Sequence, residues 1–117
     1  MERLETAATV LRDRIAYVDK KLGAIHDAYS KENRKKGPFV IFIRRDFRDW
    51  LPIEDVDSTP TVEDQATYAA GYIVLNERSS VLKVTNCVLA LRGWRMLAER
   101  RLTALNAKLE SGKTRAA

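Results

Sequence analysis

Apolar positions near both ends of the chain recur in alternating steps of four and three. In the last third they fall at Val84, Val88, Leu91, Ala98, Leu102, Leu105 and Leu109, with Arg95 filling the one gap. In the first third they fall at Leu4, Ala8, Leu11, Ile15, Val18, Leu22, Ile25 and Tyr29. Such heptad stripes belong to long amphipathic helices. They predict one helix over residues 1–36 and another over 79–111, the second roughly 50 Å long at about 1.5 Å per residue. Gly37-Pro38 should end the first, because Gly takes a left-handed cap and Pro blocks continuation. Arg34, Lys35 and Lys36 then occupy its last turn, where cations face the negative end of the helix dipole.

Two stripes of equal length predict an antiparallel hairpin. Matching their centres puts Leu4 beside Leu109, Leu22 beside Leu91 and Tyr29 beside Val84. In that register Val18 meets Arg95, whose stem covers the seam while its head reaches Asp19. Each arm also carries a second stripe. It is Val10, Tyr17 and Ala24 on the first arm, and Leu82, Leu89, Met96 and Leu97, with Trp94 beside them, on the last. A bare hairpin would expose these residues. A third element or another copy of the chain must cover them, or they form a binding surface. Tyr17, Leu89, Trp94 and Leu97 are the residues expected to mediate self-association, as a homodimer.

Between the arms lies an insert over 38–77. Phe39-Val40-Ile41-Phe42-Ile43 is an apolar, β-branched and aromatic run of strand length. Asp46 to Leu51 suits a helical turn that tucks Phe47, Trp50 and Leu51 inward, and Pro52 to Pro60 reads as a loop. Thr61 suits an N-cap, with Glu63 and Asp64 in the first turn, so a third helix is expected from Val62 to about Leu75. The competing reading is a strand at 72–75 paired with 39–43. The expected fold is a mainly α single domain over 1–117: a long antiparallel helical hairpin with a small middle insert holding a short strand and a third helix.

Composition adds limits. With 45% hydrophobic and 32% charged residues among 117, the chain has the balance of a globular domain rather than a disordered one. No apolar run approaches the roughly 20 residues of a membrane span. The first residues lack a signal peptide's apolar core, and the one cysteine, Cys87, cannot pair internally, so no membrane partner and a cytoplasmic setting are expected. The net charge of +5 is unevenly spread. Residues 51–77 carry six Asp/Glu and no Lys/Arg, whereas 78–117 carry nine Lys/Arg and two Asp/Glu. An acidic middle therefore separates two basic arms.

Candidate chemistry is sparse. His26 is the only histidine, and both it and Cys87 sit on the arms, away from any Gly-rich turn. A flanking imidazole and a small buried thiol are the simplest reading. One His and one Cys make no zinc spacing, and no phosphate-binding Gly loop occurs, so no metal, cofactor or catalytic residue is expected. The acidic stretch Glu54, Asp55, Asp57, Glu63 and Asp64 fails the EF-hand pattern, which would need Gly at Pro60 and Glu at Ala66. It remains a candidate loop for engaging a basic protein partner. Lys31, Arg34, Lys35, Lys36, Arg44, Arg45 and Arg48 could instead meet phosphates if they share one face, although no readout motif accompanies them. The expected function is that of a non-enzymatic small helical interaction protein, of adaptor, assembly or inhibitor type, acting by self-association and macromolecular binding. The alternative is a nucleic-acid-binding protein using the 31–48 cluster.

Overall fold

The computed structural model describes residues 2–30, 39–48 and 71–116, with side chains over 3–30, 39–48 and 71–112. The molecule is mainly helical. Helix α1 spans Glu2–Ala28, strand β1 Val40–Arg44, strand β2 Tyr72–Asn76 and helix α2 Val81–Ala116.

The two helices pack side by side in opposite directions. Midway along the contact Arg95 meets Asp19, and further towards the start of α1 Arg12 Nη2 donates to Asn106 Oδ1 at 3.1 Å. Numbers that fall along α1 while rising along α2 define an antiparallel pair. Every residue of the two apolar stripes is buried or half-buried. Leu11, Val18, Leu91 and Ala98 are almost completely so and form the middle of the core. Burying a side chain of this size stabilises by about 1.5–3 kcal/mol, so the stripes are the main reason the helices stay together.

Helix α1 ends at Ala28, short of the expected stop at Gly37-Pro38. The Tyr29 N–H still donates to the Ile25 carbonyl at 3.0 Å, and then the Ser30 hydroxyl donates to the Asp27 carbonyl at 2.9 Å. A serine side chain thus takes up a carbonyl that a continuing helix would have used. The expected segment 31–36 lies outside the described residues. Helix α2 begins two residues later than expected. Ser80 is its N-cap: its hydroxyl accepts from the Lys83 N–H at 3.1 Å, and its carbonyl accepts from the Val84 N–H at 3.1 Å.

Between the helices, β1 and β2 form a two-stranded antiparallel sheet with Val40 opposite Asn76, Phe42 opposite Val74 and Arg44 opposite Tyr72. The expected third helix is corrected here. Its end over 72–75 is a strand, and the part from Val62 to Ala70 lies outside the described residues. Tyr72, Ile73 and Val74 are β-branched or aromatic, and β1 sets the apolar Ile43 and Phe42 opposite Ile73 and Val74, which favours the pleated form. The sheet leaves through a tight turn. The Arg78 N–H donates to Asn76 Oδ1 at 2.8 Å, and the Asn76 N–H donates to Ser79 Oγ at 3.0 Å. Two serines and an asparagine satisfy this backbone locally, which lets α2 start at once.

The sheet lies against the hairpin, where Ile41, Ile43 and Leu75 join the helical core. Two residues of α1 hold it there. The Tyr17 hydroxyl accepts from the Arg44 N–H at 2.7 Å, and Arg14 Nη1 donates to the Asp46 carbonyl at 3.1 Å. Phe47, in the turn after β1, meets Trp94 of α2 edge to face, with ring centroids 5.7 Å apart.

Candidate interaction surface

With α1 and the sheet covering one side of α2, the residues half a turn away face outward. A rise of 3.6 residues per turn puts Leu91, Ala98 and Leu105 on the core side and Leu82, Asn86, Leu89, Gly93, Met96 and Arg100 on the opposite one. These outward positions again step by four and three. Among the described residues, all the exposed large hydrophobics lie on this helix: Val81 at 74%, Leu82 at 70%, Leu89 at 60%, Met96 at 50% and Leu97 at 60% exposure. From Leu82 to Leu97 the stripe runs about 22 Å. The outer positions of α1 are by contrast mainly polar, among them Glu5, Arg12, Asp13, Asp19 and Lys20.

Gly93 sits in the middle of the outer row. A Cβ built there would find no atom within 4 Å, so its own fold does not require glycine at this point. Cations border the row. Lys83 and Arg101 lie along one side, Arg92 along the other, and Arg100 at the end of the apolar part. Among the described residues, Lys83, Arg92 and Arg100 form no ion pair. Glu99, on the same helix, is held by Arg95 at 2.7 Å.

Sites expected from the sequence fall in different places. Leu89 and Leu97 are on the outer face. Tyr17 and Trp94 are not: they are buried at 7% and 9% exposure under the sheet and the Phe47 turn, so they belong to this chain's own core. The third element expected as one possible cover for the second stripes is therefore present for these two residues. Of the basic cluster, Arg44 is half-buried and paired with Asp46 at 2.7 Å, whereas Arg45 and Arg48 are exposed, the Arg48 guanidinium lying 5.5 Å from the centre of the Phe47 ring. Lys31, Arg34, Lys35 and Lys36 lie outside the described residues, as do Glu54, Asp55, Asp57, Glu63 and Asp64.

Groups with chemical potential do not converge. His26 is exposed and lies 3.6 Å from Asp27. Cys87 is buried on the core side of α2, and that burial pushes its thiol up, against a smaller opposing pull from the Lys83 ammonium. Such a thiol stays protonated and inert at neutral pH. A hollow of about 340 Å³ opens where the sheet meets the start of α2, lined by Tyr29, Phe39, Glu77, Ser79 and Val81. Its polar groups are engaged: the Tyr29 hydroxyl donates to the Asn76 carbonyl at 2.8 Å, and the Phe39 N–H donates to Glu77 Oε2 at 3.3 Å. Among the described residues no group of three His, Cys, Asp or Glu could hold a metal ion. No described helix is long and apolar enough to cross a membrane.

The sequence pattern marks Leu82, Leu89, Met96 and Leu97 as an apolar stripe, but Asn86 and Gly93 between them and Arg100 beyond them were not assigned to it. The four-three spacing was the available signal. Compared with family models, curated proteins and solved structures, the chain has no significant match.

Proposed function

We propose that this chain works by binding a macromolecule on the outer face of α2 and not by catalysis. One observation carries the reading: of the five exposed large hydrophobics among the described residues, Leu82, Leu89, Met96 and Leu97 share one side of α2. Apolar side chains scattered singly over a surface need no explanation, but a contiguous row does. The remainder of the described fold is the scaffold. The α1 seam, the sheet and the Phe47 turn hold α2 rigid from behind, so a partner would meet a preformed face and spend little on ordering it. The homodimer expected from the sequence narrows to the same face, since Leu89 and Leu97 are its accessible members. An adaptor or assembly role fits a helix presented this way.

The test is photo-crosslinking in cells that make the protein. A photoreactive side chain placed at Leu89 or at Leu97 should give discrete adducts, and one placed at Lys20 on the outer side of α1 should not. Adduct mass separates a second copy from a different chain. Adducts at Leu89 and Leu97 no stronger than at Lys20 would remove the reading.

A further inference from the structure

Resting on that reading, we infer that the occupant of the outer α2 face is an amphipathic helix of another protein whose apolar row is bordered by carboxylates. Three features of the face point to a helix. Leu82, Leu89 and Met96 recur every seven residues, and Asn86, Gly93 and Arg100 fall four after each, which is the spacing of a coiled-coil seam. At Gly93 the seam has an open hole, with no atom within 4 Å of a Cβ position, where a partner side chain could insert and the two backbones approach closely. Asn86 supplies the single seam amide that fixes register and direction in such pairs.

Charge selects among helices. Lys83 and Arg92 flank the seam and Arg100 closes it, and none of the three has an ion-pair partner among the described residues. A second copy would answer them with like charge, because residues 78–117 hold nine Lys/Arg and two Asp/Glu. Paired in parallel, Arg100 meets Arg100. Like charges facing each other across an interface suppress that pairing. An anionic membrane would satisfy the cations, but the apolar row is narrow and has no aromatic member, unlike helices that lie in the lipid interface. A helix with Glu or Asp beside its apolar row matches both the shape and the sign.

The experiment uses the full chain and three probes: a designed helical peptide with a leucine seam flanked by Glu, its twin flanked by Lys, and vesicles rich in phosphatidylglycerol. The Glu peptide should bind at least about tenfold tighter than the Lys twin, an advantage that shrinks in about 0.5 M salt. Arg92→Glu with Arg100→Glu should reverse the preference, and both positions are exposed enough for the fold to survive the change. Equal binding of the two peptides, no binding of either, an unchanged preference in the charge-reversed variant, or binding to the vesicles or to itself in place of the Glu peptide would overturn the inference. Leu89→Glu separates the two levels of the argument. If both peptides bind alike and both are lost in Leu89→Glu, the face stands and only the charge selection fails. If peptide binding survives Leu89→Glu, the face itself is wrong.

Discussion

Arg95 reaches across the helical seam to Asp19, its Nε and Nη2 each donating to one carboxylate oxygen. It occupies the one polar position in the last stripe, and the hydrogen bond to Asp19 holds its guanidinium pKa above the ordinary arginine range. Both side chains are about a third to a half exposed, so the pair should contribute little. A double-mutant cycle with Asp19→Asn and Arg95→Met should give a coupling of about 0.2–1 kcal/mol, weakening as salt is added. A salt-insensitive coupling of several kcal/mol would mean that the pair is more deeply desolvated than its exposure indicates.

Tyr17 and Trp94 should behave as core residues. Tyr17→Phe removes the acceptor of the Arg44 N–H and should cost about 1–3 kcal/mol. Trp94→Ala removes the ring that Phe47 meets and should cost about 3–5 kcal/mol, against less than about 0.5 kcal/mol for Leu89→Ala. Urea unfolding measures all three. Sedimentation velocity should show no change of assembly in Tyr17→Phe. Dissociation without loss of stability would return Tyr17 to an interface.

How much of this could be read along the chain depended on whether the signal was local. The two helices were legible because each stripe repeats for many turns at one period. The end of the first was not, since Tyr29 continues the apolar spacing although the helix ends at Ala28. The strand at Tyr72–Asn76 was the weaker of two readings. Ala66, Ala69, Ala70 and Ile73 make a plausible helical row, and only pairing with Val40–Arg44, about thirty residues away, decides for the pleat. The same non-locality hid the fate of Tyr17 and Trp94. Their spacing marks a second apolar face, but whether that face meets solvent or the chain's own sheet depends on where the insert folds back. Leu89 and Leu97, which the sheet does not reach, are exposed.

Arg14 is 1% exposed, deeper than any other charged side chain described. It ties α1 to the turn after β1 through the Asp46 carbonyl. Arg14→Met keeps most of the stem but leaves that carbonyl without this donor. The expected cost is about 1–3 kcal/mol, seen as a lower urea midpoint at unchanged slope. Arg12→Met, two residues away on the exposed side, should stay within about 0.5 kcal/mol. Equal effects would show that the buried arginine fills space and no more.

Cys87 gives a pH dependence whose sign follows from its burial. Burial raises the thiol pKa in the folded chain, and the Lys83 ammonium offsets only part of that rise. In the unfolded chain the thiol loses its proton near the ordinary value, about pH 8.5. Below that pH both states hold the proton and stability is level. Above it the unfolded state releases the proton first, so the folded state loses ground as pH rises towards the folded pKa. Cys87→Ala removes this contribution and leaves a constant packing penalty. Between about pH 7 and pH 10 the wild-type chain should therefore lose more stability than Cys87→Ala, and the gap between their urea midpoints should narrow. Curves that stay parallel across that range would place the thiol in contact with solvent, on the outer side of α2 with Leu89 instead of the inner side with Leu91.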